Sequence, residues 1–409
     1  MSSISYDPFD PHVLADPYPY YAALRRAAPV YPVTSLDLKV VSRHADAEQV
    51  LRRPDLFSSS PYRDFIRAAM ELGGVDPELG SETLLGSDPP CHTRLRKIVN
   101  RGFMHGRVAA LAPTIVEMAE ALVSSFVEEA GGDFVSAVAG PLPVMVIAAV
   151  LGVEPERHRD FKRWSDHMIL ATTGVLSEEE KRGLVRSFEE MNTYVDQMVG
   201  LRRRRPTDDL ISALIRAEAS EDVMRAAEVK TFVQLLLIAG NEATTHLIAN
   251  AMLALTARPA HLERIAADPI YARAFVEETM RYDAPVQMIL RRATEATVIA
   301  DTDIAAGEAI GVLLGSANRD DRRFAHAERF DPEREAGGQL GVGAGIHFCL
   351  GADLARLEGE IALGAMARAV SSIQRAEATL EYPTTFLVRG PKRLAVKVEP
   401  RRAASALRA

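Results

Sequence analysis

The sequence predicts a mainly α-helical protein with minor β-sheet, folded as one domain over residues 1–409. Four segments carry apolar residues at three- and four-residue spacing, which is typical of amphipathic helices: 115–130, 178–203, 228–257 and 273–282. Strand-like stretches are few and short: 30–33, 38–42, 297–299, 309–314 and 394–398. No internal repeat or low-complexity linker divides the chain, so a single core is expected.

Three longer stretches show neither the helical nor the strand pattern and are expected to be irregular: 57–90, 170–177 and 318–341. A long irregular stretch inside a compact domain usually serves a function. We therefore expect a functional site close to at least one of these segments.

Composition restricts the class of protein. A chain of 409 residues with 47% hydrophobic content has enough apolar material for a large core. The net charge of −8, without any lysine-rich tract, argues against a nucleic-acid partner. The longest apolar region, 134–153, is interrupted by Gly140, Pro141 and Pro143, so no membrane association is expected. Residues 1–6 lack the order of a signal peptide and only two cysteines occur, so a cytoplasmic location is expected.

The most informative stretch is 343–352 (GAGIHFCLGA), which places Cys349 in a glycine-rich loop. An apolar helical pattern follows, and backbone N–H groups at a helix N-terminus stabilise a thiolate. Glycines also let the backbone pass close to a flat ligand. A single thiolate in this setting suits the axial position of a haem iron. A buried apolar cysteine beside a tight turn is the alternative, whereas the spacing of Cys91-His92 and His347-x-Cys349 disfavours a structural zinc site.

This loop resembles the haem-binding signature of the cytochrome P-450 family of haem-thiolate monooxygenases. Gly345, His347, Cys349 and Gly351 match the signature, and Val342 stands where the family usually has phenylalanine. The resemblance implies haem b as cofactor, Cys349 as the iron ligand and all five residues around the haem. It also implies the family's single-domain fold, a helical bundle that encloses the haem, with small β-sheets.

A second match lies in the longest predicted helix, at 239–244 (AGNEAT). Polar groups inside a buried helix are costly unless they serve a site. The segment resembles the family's oxygen-binding helix, which implies haem contact at Gly240 and catalytic positions at Glu242, Ala243 and Thr244. Ala243 replaces the threonine that usually follows the acid. Thr244 is rotated by about 100° around the helix, so it is not a simple substitute.

Glu278 and Arg281 match the family's Glu-x-x-Arg motif, and their i,i+3 spacing places both charges on one helix face. The resemblance implies a buried structural pair that holds the stretch before the cysteine loop. A third partner is expected from His326 or Arg329, and the choice between them stays open. The alternative is a surface ion pair, which would contribute little stability.

Haem carries two propionates, so cationic groups are expected around it. The segment 88–96 (DPPCHTRLR) resembles the family's propionate-binding helix and implies that His92 and Arg96 bind these groups. Arg291 matches another propionate-binding arginine of the family.

The resemblance implies a monooxygenase that inserts one atom of dioxygen into a hydrophobic small molecule. A separate ferredoxin and ferredoxin reductase are expected to supply electrons, because the chain has no dinucleotide fingerprint or cysteine cluster. A basic patch of Arg96, Lys97, Arg101 and Arg356 is expected to receive the ferredoxin.

The positions expected to contact substrate are mostly apolar, which indicates a hydrophobic ligand: Leu236, Ala239, Val286, Met288, Ile289 and Leu387. Two other functions stay open. A peroxide-driven peroxygenase is favoured by the missing hydroxyl at Ala243, although Glu242 without a neighbouring arginine argues against it. A non-catalytic haem-binding protein is the other.

Overall fold

The computed structural model describes residues 5–72, 83–100, 103, 105–170, 176–207, 209–217, 226–335 and 337–401. The helices of these residues are, in chain order, α1 (Pro11–Ala15), α2 (Tyr18–Ala27), α3 (His44–Arg52), α4 (Ser60–Leu72), α5 (Cys91–Asn100), α6 (His105–Ala110), α7 (Ala112–Glu128), α8 (Pro141–Leu151), α9 (His158–Leu170), α10 (Glu178–Arg204), α11 (Leu210–Ala217), α12 (Ala226–Ala257), α13 (Leu262–Ala267), α14 (Pro269–Tyr282), α15 (Leu314–Ala317) and α16 (Ala352–Ala369).

The strands are short: β1 (Val30–Val33), β2 (Leu38–Val41), β3 (Phe57–Ser58), β4 (Gly131–Asp133), β5 (Met288–Ala293), β6 (Thr297–Ile299), β7 (Thr302–Ile304), β8 (Ala309–Leu313), β9 (Val370–Arg375) and β10 (Ala395–Pro400). They form a five-stranded sheet of order β1-β2-β8-β5-β3, a three-stranded sheet β4-β10-β9 and a hairpin β6-β7. Only β2 and β8 run parallel; the other pairs are antiparallel.

Helix α12 lies at the centre of the helical part, packed against α8, α9, α14 and α16. Its apolar residues are spread around much of the helix, which is typical of a buried helix. One hydrophobic core joins α12 to α7, α14 and α16. A second core joins it to α5, α8, α9, α10 and α11, and it contains the fully buried Trp164, the only tryptophan of the chain.

The mainly helical fold class is confirmed, and the strongest sequence signals give correct elements. The four predicted helices correspond to α7, α10, α12 and α14, and the five predicted strands to β1, β2, β6, β8 and β10. Helix α10 begins directly after Ser177, which caps its N-terminus together with Glu180. The Ser177 hydroxyl accepts from the Glu180 N–H, and the Glu180 carboxylate accepts from the Ser177 N–H at 2.7 Å.

Two stretches differ from the sequence predictions. The segment expected to be irregular at 57–90 contains β3 and α4, while its residues 73–82 lie outside the described part of the chain. The interrupted apolar region contains α8, because Pro141 occupies the first turn, where a helix needs no N–H donor. The segment 318–341 has no helix or strand among its described residues, as predicted; of 170–177, residues 171–175 lie outside them.

Glu278 and Arg281 form a buried ion pair on α14, with side chains 4% and 3% exposed. Arg281 donates to the two Glu278 carboxylate oxygens at 2.7 and 2.8 Å. Its remaining N–H groups reach the backbone carbonyls of Asn318, Ala327 and Arg329 at 2.8–3.0 Å. The pair therefore ties the irregular stretch after α15 to the helical core.

The third charged group at this pair is Arg334, whose Nε lies 3.6 Å from the Glu278 carboxylate. Sequence reasoning expected His326 or Arg329. The Arg329 side chain is 73% exposed, and this residue contributes its carbonyl instead. Arg334 in turn donates to the carbonyls of His326 and Arg329. Both expected positions are thus at the cluster, but through their backbone.

We predict that Arg281→Ala lowers the free energy of unfolding by about 3–5 kcal/mol, because it strands the Glu278 carboxylate in the core. Urea denaturation measures this change. The matched control is Arg393→Ala, which removes an exposed pair with Glu377 and should cost at most about 1 kcal/mol. Equal stabilities of the two variants would show that the buried pair does not anchor the fold.

Candidate functional site

The cysteine loop is shaped by two glycines in the left-handed region. Gly343 has φ +74° and Gly345 has φ +70°, conformations that other residues rarely adopt. A Cβ at Gly345 would also overlap the Leu51 carbonyl on α3. The Cys349 N–H donates to the Val342 carbonyl at 2.9 Å, which closes the loop just before α16. The loop therefore holds Cys349 in a fixed position.

The Cys349 thiol has a solvent-accessible side, while protein surrounds it elsewhere. Burial raises the pKa of this thiol, and the Gly351 N–H and the cations Arg96 and Arg356 act in the opposite direction. The helix start thus does not by itself make the thiolate the favoured form. A thiolate here needs further positive charge, such as a metal ion. A Cβ at Gly351 would meet nothing within 4 Å, so packing within the described chain does not require glycine there.

Two histidines lie against each other beside this loop. The rings of His92 on α5 and His347 are 4.2 Å apart, and the His347 Nε2 is 2.9 Å from the Ser59 hydroxyl. Burial and neighbouring arginines lower the pKa of His347 to about 2 and that of His92 to about 4. Both rings are therefore neutral near pH 7 and offer an N–H donor.

Arg291 adds a buried cation to this cluster. It is 3% exposed, and its Nη1 donates to the Leu290 carbonyl at 2.7 Å. Burial lowers its pKa, and the positive charges of Arg291 and Arg96 both act on His347. The buried His92 Nε2 has no hydrogen-bond partner among the described residues. Buried cations and an unpartnered imidazole nitrogen suit a ligand with its own negative charges, and the two propionates of haem fit this site.

The middle of α12 borders an open recess. Ala239 is exposed although its helix is central, and Ala243, one turn later on the same face, is partly exposed. Leu236 is nearly buried on this face, and a Cβ at Gly240 would lie 3.7 Å from Ile147. Thr244 is buried, so its side chain does not take the place of the missing hydroxyl at the recess.

Glu242 is anchored along α12 by His246. The His246 Nε2 lies 3.0 Å from a Glu242 carboxylate oxygen, and the Glu242 side chain is 23% exposed. On the other side of α12, the Asn241 amide donates to the Ser165 hydroxyl at 2.7 Å, which ties the helix to α9. Glu242 therefore pairs within α12, whereas Asn241 joins α12 to α9.

Most positions expected to contact substrate are accessible. Val286, Ile289 and Leu387 are partly exposed, and Val286 forms an isolated β-bridge with Val388. Together with Leu236 and Ala239 they give apolar side chains and no charged group. This composition suits an apolar ligand.

Met288 is the most deeply buried of the substrate candidates. It is 1% exposed and packs in a cluster with Leu38, Val40 and Leu313. Successive side chains of a strand point to opposite faces, so Met288 and Ile289 on β5 cannot both face one ligand. This alternation is a signal that the sequence contains and that would have removed Met288 from the candidates.

Sequence reasoning missed two residues of the site, Ser59 and His246, and one buried acid, Glu358. Ser59 contacts His347 from a position 288 residues away in sequence, and no local pattern indicates this contact. His246 stands one turn after Glu242, and this spacing is a usable signal. Glu358 on α16 is 3% exposed, and burial raises its pKa to about 8, so it is a neutral acid at pH 7. An acid among the apolar residues of a buried helix is likewise visible in sequence.

Comparisons with known proteins agree on one family. The cytochrome P450 family model matches residues 168–398. The cytochrome P450 monooxygenase PikC of Streptomyces venezuelae is 37% identical over 361 residues, which are 86% of this chain and 83% of PikC.

Solved structures give the same result. CYP109Q5 from Chondromyces apiculatus is 36% identical, with a TM-score of 0.87 over 98% of this chain and 100% of its own. CYP109E1 from Bacillus megaterium, in complex with testosterone, is 31% identical, with a TM-score of 0.83 over 93% of this chain and 99% of its own. The recognised resemblance and the predicted fold, a helical bundle with small β-sheets, are therefore confirmed.

Family membership brings a haem-iron cofactor and dependence on redox partners. Within the described residues, no helix is long and apolar enough to cross a membrane. The chain belongs to the cytochrome P450 family and is a monooxygenase of that family.

Proposed function

We propose that this protein inserts one atom of dioxygen into a hydrophobic small molecule, using haem b bound through the Cys349 thiolate. One observation carries the proposal: a thiol in a rigid loop lies next to a buried cluster of His92, His347 and Arg291, with Arg96 close to the thiol. Haem is a ligand that matches both halves of this arrangement, because it has a metal for the thiolate and carboxylates for the cations.

Each group of the cluster has a defined task in this proposal. The residues that would hold the two propionates and orient the ring are His92, Arg96, Arg291 and His347. Gly351 leaves space for the ring, since it adds no side chain to the open region beside the loop. Gly345 holds the loop against α3, where a side chain would meet the Leu51 carbonyl, and so supports the site from behind. When bound, the haem iron supplies the activation of dioxygen. The chain contributes binding, exclusion of water and delivery of protons.

The substrate in this proposal is apolar. Leu236, Ala239, Val286, Ile289 and Leu387 offer only hydrocarbon surface, so binding energy comes from apolar area removed from water, at about 25 cal/mol per Å². The related CYP109E1 binds testosterone, which makes this steroid the first probe for binding and turnover. Met288 supports the sheet from behind and does not contact substrate.

The electron donor is a ferredoxin with its reductase, acting from the cytoplasm. Two cysteines leave no iron–sulfur cluster within the chain and fit a reducing compartment. Arg356 contributes less to the docking patch than its charge suggests, because its guanidinium bonds to Glu277 and is 16% exposed. Lys97 is exposed and Arg96 half-buried, while Arg101 lies outside the described residues. Electrostatic steering of the ferredoxin therefore rests mainly on α5.

A peroxide-driven reaction is the second candidate function, and Ala243 favours it because the position lacks a hydroxyl. Turnover of testosterone with hydrogen peroxide alone is compared with turnover by ferredoxin, reductase and NADPH. A faster reaction with peroxide than with the electron-transfer proteins would establish the peroxygenase and overturn the ferredoxin-dependent proposal. A protein that binds haem and yields no product under either condition would support the third candidate, non-catalytic haem binding.

We predict that reduction and addition of carbon monoxide give a Soret band that is red-shifted relative to that of histidine-ligated haem, because a thiolate donates more electron density. Cys349→Ser should abolish this band while Cys91→Ser, the matched control, retains it. An absorption spectrum decides the matter. A band at the position typical of histidine ligation in the unmutated protein would refute Cys349 as the ligand.

We predict that Val342→Phe shifts the reduction potential of the iron, since a larger side chain covers the sulfur and excludes water from it. The Val342 side chain is partly buried against the core that contains α16. A potentiometric titration measures the shift, with Val342→Ile as the control that adds a single methylene. An unchanged potential in the phenylalanine variant would mean that other groups already shield Cys349.

We predict that Ala243→Thr reduces the hydrogen peroxide released per NADPH consumed when the substrate has no hydroxyl near the oxidised carbon. The proposed reaction consumes protons, and a hydroxyl at position 243 would position a water that delivers them. Ala243→Val is the control of equal shape without a donor. If the unmutated protein is already fully coupled and neither variant differs from it, proton delivery does not involve position 243.

A further inference from the structure

A buried tyrosine, Tyr62, borders the cluster of cations at the proposed haem site. It lies in the first turn of α4 and is 7% exposed. Its hydroxyl accepts a hydrogen bond from the Leu290 N–H on β5 at 3.2 Å, from a position 228 residues away in sequence. The phenol therefore contacts the residue that directly precedes Arg291, the buried cation of the site.

The outer edge of β5 explains why these two side chains meet. In an antiparallel sheet the N–H and C=O groups of one residue point to the same edge of the strand. The Leu290 N–H donates to Tyr62, and the Leu290 carbonyl accepts from the Arg291 Nη1 at 2.7 Å. On this edge β3 pairs only with Arg292 and Ala293. The hydroxyl and the guanidinium are thus anchored on one residue, at a part of the edge that β3 leaves open.

This pair of side chains has more hydrogen-bond donors than acceptors. A phenol has one O–H to donate, and a guanidinium has five N–H groups. Among the described residues, the Tyr62 O–H has no acceptor, and Arg291 donates only to the Leu290 carbonyl. Buried donors without acceptors are unfavourable. The pair therefore suits a ligand that brings an acceptor of its own.

One carboxylate of the chain, that of Asp88, is close enough to act on the charge of Arg291. Its oxygens already accept from other groups, one from the Ser58 hydroxyl and the other from the Ser59 N–H at 2.9 Å. Within the described part of the chain, neither Tyr62 nor Arg291 donates to it. A carboxylate from a ligand would satisfy these donors, because a charged acceptor forms the stronger hydrogen bonds.

The Tyr62 hydroxyl keeps its proton at neutral pH. Burial raises the pKa of Tyr62 to about 12, although the positive charge of Arg291 acts in the opposite direction. The phenol is therefore a neutral donor near pH 7. A neutral donor next to a guanidinium complements a carboxylate, since it adds a hydrogen bond without adding a second buried charge.

We propose that Tyr62 is a further residue of the haem site and that its hydroxyl, together with Arg291, would hold a haem propionate. The inference rests on haem b as the cofactor of the proposed function. Tyr62 would join the four residues already assigned to the propionates, but from α4. Haem binding would then also secure the start of α4 against β5, to which Asp64 is joined by its ion pair with Arg292 at 2.7 Å.

Tyr62→Phe removes the hydroxyl, retains the ring and is the direct test. The rate of haem transfer from the loaded protein to an excess of apomyoglobin measures how firmly the haem is held. We expect release from the variant to be on the order of tenfold faster, because a hydrogen bond to a charged acceptor is lost. The matched control Tyr194→Phe removes a hydroxyl on α10 that donates to Glu154 at 2.7 Å, and it should release haem at the unmutated rate.

Haem dimethyl ester separates propionate binding from support of β5. Tyr62→Phe also leaves the Leu290 N–H without its acceptor, which weakens the site whichever haem is bound. The ester has no carboxylate charge, so the substitution should accelerate its release much less than that of haem b. An equal acceleration for both haems would show that the hydroxyl only supports β5 and would overturn the proposal. Unchanged release of haem b would overturn it too.

A crystal structure of the unmutated, haem-loaded protein tests the contact without a variant. The Tyr62 oxygen should lie within about 3.2 Å of a propionate oxygen. A hydroxyl that bonds to another group instead would refute the assignment. If the contact is present and the protein forms no product, the monooxygenase reaction fails while the role of Tyr62 stands. A protein that binds no haem would refute both.

Discussion

The guanidinium of Arg281 is the constraint on which the position of the Cys349 loop depends. Its N–H donors hold the Glu278 carboxylate and three carbonyls of a stretch that has no regular secondary structure of its own. One of these carbonyls belongs to Asn318, whose side-chain oxygen accepts from the Leu340 N–H at 2.6 Å. Leu340 begins the turn that leads into the cysteine loop, because its carbonyl accepts from the Gly343 N–H at 2.8 Å. A charge pair on α14 therefore fixes the loop that carries Cys349, through one asparagine.

The groups of the proposed haem site are unfavourable in the absence of a ligand, which would link folding to cofactor binding. Arg291 is a buried cation, two imidazoles are held neutral by burial, and burial disfavours the Cys349 thiolate. A haem would remove each of these costs, because carboxylates pair with the cations and a metal pairs with the sulfur. Any ligand that binds only the folded state stabilises it in proportion to the logarithm of its concentration over its Kd. The residues of this site therefore lower the stability of the ligand-free protein and would favour the ligand-bound form.

Local signals made much of the fold predictable, whereas contacts between distant segments were not. The 3.6-residue period found α7, α10, α12 and α14, and short β-branched runs found five strands, since both depend only on neighbouring residues. The prediction for 57–90 was wrong although a usable signal is present, since α4 carries Tyr62, Phe65, Ile66, Ala69 and Met70 at the spacing of an amphipathic helix. The sequence identifies the charged pair on α14 but does not show which later side chain approaches it. In the structure that side chain is Arg334. The Ser59–His347 contact and the fit of His246 against Gly390 exist only after folding.

The polar residues of α12 divide into two sets, and their hydrogen bonding differs. The Thr245 hydroxyl donates to the Asn241 side-chain oxygen, and the Asn241 amide donates to the Ser165 hydroxyl on α9. The Ser165 hydroxyl in turn donates to the Leu237 carbonyl. That set joins two helices with protein partners, as expected of groups that serve packing. His246 and Asn250 contact a loop and leave two acceptors without protein partners, although both residues are more than nine-tenths buried. Polar residues that serve packing alone would be expected to pair all their buried polar atoms within the protein, as the first set does. Among the described residues, the unpartnered acceptors of α12 named here therefore lie on the helix face that contains Glu242.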